Sequence, residues 1–163
     1  MIEVREAQIG DLDAILAIYN DAVVHTTATY DYEPRTSEAH RQWFETKRTQ
    51  RFPVLVGAEG GSVCGFASYG PFRPWAAYLH TVENSIYVAP EHRGRGVGSA
   101  ILRPLLDLAR ARGFHAMVAG IDATNTASLK LHAKFGFEQV AHFREVGWKF
   151  ERWLDLVFLE RIF

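Results

Sequence analysis

The sequence predicts an α/β fold with one central mixed sheet flanked by about four helices. Segments with the alternation or the apolar runs of β-strands take turns along the chain with segments of helical spacing. The length of 163 residues suits a single domain over 1–163, and no repeat or linker-like tract divides it. The predicted order is βα, α, three strands, α, β, α and two strands.

The first third of the chain predicts one strand and two helices. Residues 2–7 alternate like a strand, and Asp11 opens a stretch with the apolar spacing of a helix. A connection rich in Thr and Tyr follows over 25–34. Ser37 is expected to cap the second helix.

The middle third predicts three strands. Residues 53–58 and 62–69 have the composition of strands, and Glu59-Gly60-Gly61 between them indicates an antiparallel hairpin. A stretch rich in Pro and aromatic residues occupies 71–78. Residues 82–89 then predict a third strand.

The last third returns to alternating elements. A helix is expected from the glycine-rich turn at 94–98 through Ala111, with Gly113 ending it. The remaining elements are a buried strand over 115–121, a helix over 124–135, and two closing strands, one running through Phe143 and one over 153–159.

Composition excludes several classes of function. A formal charge of -1 provides no basic field for a polyanion, so nucleic acid is not an expected partner. Cys64 is the only cysteine, and its apolar surroundings indicate a small buried strand residue rather than a nucleophile. The N-terminus has no basic run leading into an apolar stretch, and no segment has the length of a membrane span, which predicts a cytoplasmic protein.

The most informative segment is Arg93-Gly94-Arg95-Gly96-Val97-Gly98-Ser99, between a predicted strand and a predicted helix. Closely spaced glycines let the backbone approach an anion, and the free N–H groups of the first helical turn then point at that anion. A glycine-rich surface turn is the alternative. A P-loop is excluded because Ser99 and Ala100 follow Gly98, and a dinucleotide fingerprint is a weak match because the spacing is G-x-G-x-G.

Two ordered blocks carry a family resemblance. Arg93, Gly96 and Gly98 form an Arg-x-x-Gly-x-Gly signature after the strand 84–90, and residues 125–137 contain Asn, Ser and Leu-His-x-x-x-Gly-Phe in order. The chain resembles the GNAT superfamily of acyl-CoA-dependent N-acetyltransferases. It is further similar to the phosphinothricin and methionine sulfoximine acetyltransferase branch, on four marks: Ile18-Tyr19-Asn20-Asp21-Ala22-Val23, Ala67-Ser68-Tyr69-Gly70, His80-Thr81-Val82-Glu83-Asn84-Ser85, and Gly147-Trp148-Lys149-Phe150 with Trp153-Leu154-Asp155.

The resemblance implies acetyl-CoA as cosubstrate, no metal, and a set of residues that hold the coenzyme. These are Ile86, Tyr87, Val88, Arg93, Gly94, Arg95, Gly96, Val97, Gly98 and Asn125. The turn would bind the diphosphate, and the pantetheine arm would pair with Tyr87 and Val88. The Val88 N–H is implied to polarise the thioester carbonyl. Asn125 could equally cap the helix that contains Ser128.

The resemblance also implies an acid and a base. An α-amine with a pKa of about 8 is mostly protonated at neutral pH, so it must lose a proton before it attacks. Glu83 is the implied base, which requires burial to raise its pKa; a paired structural carboxylate is the alternative. His132 lies where many relatives carry a Tyr thought to protonate the leaving thiolate. It could instead be a helix residue pointing into the sheet.

The acceptor is expected to be small and amino-acid-like. The implied substrate-binding residues are Arg73, Trp75, Tyr78, Thr27 and Tyr30. Arg73 could bind a carboxylate or phosphinate by a bidentate pair, whereas Trp75 stands where the phosphinothricin enzymes tend to carry Arg.

The resemblance to the GNAT family implies a homodimer. The aromatic tail, Trp148, Phe150, Trp153, Phe158 and Phe163, could form part of its contact or only pack in the core.

Three functions remain open at this point. The first is direct acetylation of the α-amine of a small amino acid such as methionine sulfoximine, methionine sulfone or phosphinothricin. The second is acetylation of a peptide or protein N-terminus. The third is a catalytically silent acyl-CoA-binding module, in which Glu83 and His132 are structural.

Overall fold

A computed structural model describes all residues from 1 to 163. Four α-helices surround one sheet of seven strands, which confirms the predicted mixed α/β fold. The helices are α1 Leu12–His25, α2 Ser37–Thr49, α3 Val97–Ala111 and α4 Thr126–Lys134. The strands are β1 Glu3–Glu6, β2 Val54–Glu59, β3 Ser62–Pro71, β4 Thr81–Val88, β5 Ala116–Asp122, β6 Glu138–Lys149 and β7 Arg152–Ile162. None of the helices is long and apolar enough to cross a membrane.

The sheet has the strand order β1-β2-β3-β4-β5-β7-β6. Neighbouring strands are antiparallel except β4 and β5, which are parallel. These two pair only from Thr81 opposite Ala116 to Glu83 opposite Val118. From Asn84 to Val88, therefore, β4 has a hydrogen-bonded neighbour on its β3 side alone. The two strands diverge there and leave a wedge in the middle of the sheet.

Apolar side chains cover both faces of the sheet. Helix α3 buries Ile101, Leu102, Leu105 and Leu106 against one face, because this spacing places them on a single helical stripe. Helix α4 lies on the same face. Helices α1 and α2 cover the other face, where Ile15, Ile18 and Phe44 pack on Val56 and Phe66. This second face, where β4 meets β5, is where Glu83 projects.

Element ends follow local chemistry, with two differences from the sequence prediction. The cap of α2 is Thr36 and not Ser37, because the Thr36 hydroxyl accepts a hydrogen bond from Ala39 N at 3.2 Å. The closing strands are longer than predicted and form one hairpin, whose turn residues Phe150 and Glu151 both have positive φ. Gly113, at φ 80°, follows α3 as predicted.

Candidate active site

The glycine-rich turn has the backbone that an anion site needs. Gly94 and Gly96 have φ values of 75° and 85°, in the left-handed region that favours glycine, and Gly96 is the N-cap of α3. The first hydrogen bond of the helix runs from Ala100 N to Gly96 O at 3.0 Å. The N–H groups of residues 97–99 precede that bond, so no carbonyl of the helix accepts from them. The start of this 15-residue helix can therefore donate to an anion.

The two arginines of the turn differ in where their side chains go. Arg93 donates to Val88 O at 3.2 Å and pairs with Asp21 of α1 at 3.2 Å, which ties the turn to the opposite wall. Arg95 turns away and pairs at 2.9 Å with Glu59, the last residue of β2. Arg95 does not line the adjoining cleft, and its contact with the coenzyme stays a prediction.

A cleft of about 570 Å³ opens beside the turn. Its walls come from four places: the end of α1 with the residues after it, the end of β4, the glycine turn with the start of α3, and the start of α4. Asn125 lines it and also caps α4, because its Oδ1 accepts from Ser128 N at 3.1 Å. The volume is in the range of small-molecule and cofactor sites.

The unpaired edge of β4 faces the wedge. Ala89 N donates to Cys64 O of β3 at 2.8 Å, and the backbone polar groups of successive strand residues point to alternate sides. The N–H and C=O of Val88 and Ile86 therefore point to the β5 side, whereas those of Tyr87 point to β3. Tyr87 lines the cleft, but its backbone N–H and C=O point to β3, so Ile86 and Val88 are the residues that present backbone groups toward the wedge.

Glu83 lies on the face of the sheet that α1 and α2 cover. Its side chain is 32% exposed, and Oε2 accepts from Arg73 Nη1 at 3.4 Å. Burial raises the pKa of Glu83, and the neighbouring Arg73 opposes that shift only in part. The carboxylate thus has the raised proton affinity that a general base requires, together with a cation that orients it.

Gly120 lies beside Glu83 and is not among the residues that the sequence predicts for the site. It is exposed although it lies in the central strand β5 between buried neighbours. A Cβ at this position would lie 3.0 Å from Phe158 Cε1 and 3.1 Å from Glu83 Oε1. A glycine within an otherwise apolar strand often marks the close approach of a ligand or of another chain segment. That signal was present in the sequence at residues 116–122.

Residues 13–137 match the sequence family described as the acetyltransferase (GNAT) family, which is more than half of the chain. The chain belongs to the GNAT family. It is 46% identical over 158 residues to an L-methionine sulfoximine/L-methionine sulfone acetyltransferase of Pseudomonas aeruginosa, covering 96% of this chain and 92% of that one. The predicted resemblance to the GNAT superfamily and to its phosphinothricin and methionine sulfoximine acetyltransferase branch is thereby confirmed.

Solved structures agree with this GNAT assignment. The crystal structure of an N-acetyltransferase from Staphylococcus aureus Mu50 superposes with a TM-score of 0.98 at 50% identity, covering 99% of this chain and 98% of that one. A GNAT superfamily phosphinothricin acetyltransferase from Sinorhizobium meliloti, in complex with acetyl-CoA, gives 0.96 at 36% identity and covers 99% and 88%. The protein is a GNAT N-acetyltransferase, and its cosubstrate is acetyl-CoA.

In this GNAT enzyme His132 lies behind β4. Its ring is 1% exposed, with Nδ1 2.9 Å from Ser128 O and Nε2 3.1 Å from the Asn84 side chain. Burial lowers the pKa of His132, so the ring is neutral near pH 7, and its one N–H can donate either to Ser128 O or to Asn84 Oδ1. His132 does not line the cleft. A general acid role remains a prediction, and the geometry favours the alternative of a helix residue packed into the sheet.

The predicted acceptor residues of the GNAT enzyme do not share one cavity. Arg73, Trp75 and Tyr78 line a second cleft of about 680 Å³, and Trp75 is 66% exposed. Thr27 lines the first cleft. Tyr30 lines neither; burial and two nearby aspartates raise its pKa to about 12.

Proposed function

We propose that this enzyme transfers the acetyl group of acetyl-CoA directly to the α-amine of a small, amino-acid-like acceptor of the methionine sulfoximine, methionine sulfone or phosphinothricin type. The observation that carries the proposal is the open N-terminus of α3, which meets the unpaired edge of β4 in one cleft. The identity to the Pseudomonas aeruginosa acetyltransferase supports the acceptor class.

The chain's own groups fit coenzyme A. The free N–H groups at residues 97–99 suit its diphosphate, and the outward backbone of Ile86 and Val88 suits the amides of its pantetheine arm. When bound, acetyl-CoA supplies an acetyl group activated as a thioester. The Val88 N–H is the backbone donor that would polarise the thioester carbonyl, at the same unpaired edge.

Glu83 is the group that would take the proton of the acceptor amine. Its pKa is raised by burial, so it holds a proton more firmly than an exposed carboxylate does. Arg73, 3.4 Å from this carboxylate, could bind the acceptor's own carboxylate or phosphinate, and it would then partly release Glu83. The Arg73 guanidinium would thus couple binding of the acceptor to proton uptake by Glu83.

Direct transfer is supported by the position of the only thiol. Cys64 lies in β3 and is fully buried, and its Sγ donates to Ser62 O at 3.3 Å. It lines neither of the two clefts described above. A covalent acetyl-cysteine intermediate therefore has no support in the geometry.

A homodimer and a cytoplasmic location complete the proposal. Trp148, Phe150 and Trp153 are exposed on the hairpin at the β6 edge of the sheet, where a second copy could cover them. Phe163 packs against the core on the α3 face, so only part of the aromatic tail is free for such a contact.

The test measures thiol release from acetyl-CoA with a panel of acceptors. Methionine sulfoximine, methionine sulfone and phosphinothricin form one arm, and peptides with free N-termini form the other. The proposal expects turnover with at least one member of the first arm; turnover with peptides alone would favour an N-terminal acetyltransferase. Coenzyme binding without release for any acceptor would indicate a silent binding module.

Variants of the same enzyme test the roles. Glu83→Gln keeps the shape of the side chain and should lower kcat by roughly a hundredfold or more. Glu138→Gln, an exposed carboxylate on β6, is the matched control and should leave kcat unchanged. Cys64→Ala should also retain activity, and its inactivity in a folded protein would argue against direct transfer.

A further inference from the structure

The connection between α1 and α2, residues 26–36, forms part of the cleft wall without any regular structure of its own. Its first residues, Thr26, Thr27 and Ala28, line the cleft beside β4 and the glycine turn. It contains neither helix nor strand, so most of its backbone carbonyls have no partner in a ladder. Groups from elsewhere in the chain must therefore set its conformation.

Lys149 of β6 supplies the main contact. The residue is only 5% exposed, and its ammonium donates to Thr26 O at 2.8 Å and to Thr29 O at 2.7 Å. Thr26 is the C-cap of α1, where free carbonyls and the helix dipole favour a cation. One buried charge thus joins the end of α1 to the connection that follows it.

The same hairpin holds the next residues of the connection. Tyr30 packs flat against Gly147, since a Cβ on that glycine would lie 2.8 Å from Tyr30 Cε2. The Tyr30 hydroxyl donates to Asp155 O of β7 at 3.3 Å, and the Tyr32 hydroxyl donates to Trp148 O. We call Gly147, Lys149 and Asp155 the hairpin clamp.

The α1–α2 connection also contacts the cleft indirectly, through Tyr19 and Tyr87. The hydroxyl of Tyr19 in α1 contacts Thr29 at 3.4 Å and donates to Asp31. The Tyr19 ring meets the Tyr87 ring edge to face, with centroids 5.4 Å apart, and Tyr87 lines the cleft. A shift of the connection would therefore disturb the cleft both at residues 26–28 and at Tyr87.

We propose that Lys149 is a positioning residue for coenzyme binding: through Thr26 O and Thr29 O it fixes the α1–α2 connection as a wall of the cleft. This inference depends on the proposed function, because it takes the cleft to be the coenzyme site. It also gives a role to the Gly-Trp-Lys-Phe and Trp-Leu-Asp segments of the tail, which neither the chemistry nor the glycine turn uses.

The experiment compares Lys149→Met with Lys130→Met, which removes an exposed lysine of α4 for which the structure shows no side-chain partner. Coenzyme A binding is measured by calorimetry, steady-state constants by thiol release, and the motion of 26–32 by amide hydrogen exchange. Without the clamp only a fraction of molecules has the wall in place, so we expect Kd for coenzyme A and KM for acetyl-CoA to rise about tenfold, with a smaller change in kcat. Exchange over 26–32 should accelerate, and the control should match wild type.

Gly147→Ala gives a second route to the same result, because the added methyl group must displace the Tyr30 ring. It carries the test if Lys149→Met fails to fold. Wild-type affinity and wild-type exchange in a folded Lys149→Met or Gly147→Ala protein would overturn the inference. Failure of wild type itself to bind coenzyme A would instead overturn the proposed function, and the exchange data would still report on the clamp.

Discussion

Replacing Gly120 by alanine should impair catalysis more than stability. The new Cβ would lie 3.0 Å from Phe158 Cε1 and 3.1 Å from Glu83 Oε1, both closer than ordinary contact. The Phe158 ring is held between Phe72 and Phe143, with centroids 6.1 and 5.8 Å away, so it resists displacement. The partly exposed carboxylate of Glu83 yields more easily, by a few tenths of an ångström.

The size of the effect follows from that displacement. Misplacing a reacting group by about 1 Å can cost about a hundredfold in rate, so a few tenths of an ångström should lower kcat by about fivefold, or about 1 kcal/mol. Crowding at Phe158 should cost about 1 kcal/mol of unfolding free energy, which lowers Tm by about 2–4 °C.

The assay is thiol release at saturating substrates, with urea unfolding in parallel. Gly10→Ala is the matched control, because a Cβ at Gly10 meets nothing within 4 Å and its φ is not positive. It should keep wild-type kcat and stability. If Gly120→Ala lost stability but kept wild-type kcat, the placement of the Glu83 carboxylate would not govern the rate.

Three further outcomes are expected. Gly96→Ala forces alanine to a φ of 85°, at about 1–2 kcal/mol, and should weaken coenzyme A binding about tenfold by calorimetry; unchanged affinity would speak against the turn as the diphosphate site. Because the base acts deprotonated, kcat should fall as the pH drops through the raised pKa of Glu83. Arg73→Met removes a positive charge that lowers this pKa, so the acid limb of the pH–rate profile should move to higher pH; an unmoved limb would speak against Glu83 as the base. Burial and Arg35 lower the pKa of His40 to about 4, so the contribution of the neutral ring to the unfolding free energy should be fully present above about pH 6.5 and should be lost as the pH falls toward 4. His40→Gln should flatten this decline in urea titrations at several pH values.

Features that depend on a few neighbouring residues could be predicted from the sequence. Gly96 and Gly113 adopt positive φ at the start and end of α3, where the pattern of glycines around an apolar helix indicated them. Asn125 caps α4 through a contact three residues away. The N-cap of α2 was predicted at Ser37 but lies at Thr36, because both residues carry a hydroxyl group and the capping preferences of Ser and Thr are similar.

Features that depend on distant residues were not predictable in the same way. The divergence of β4 from β5 after Glu83 is a property of the sheet, and no local pattern encodes it. The pairing of Arg95 with Glu59 joins residues 36 apart, and Lys149 reaches carbonyls more than a hundred residues away. The contact of Arg95 with the coenzyme was predicted from the turn alone, without the hairpin beside it, and it stays a prediction.

The most direct test of the whole account is a crystal structure of the enzyme with coenzyme A. The distances to measure run from the backbone nitrogens of residues 96–99 to the diphosphate oxygens. We expect at least two of them at about 2.7–3.2 Å, with the thiol end of the ligand lying along Ile86 and Val88. Coenzyme A bound elsewhere, with this turn facing only solvent, would show that the turn is not the diphosphate site.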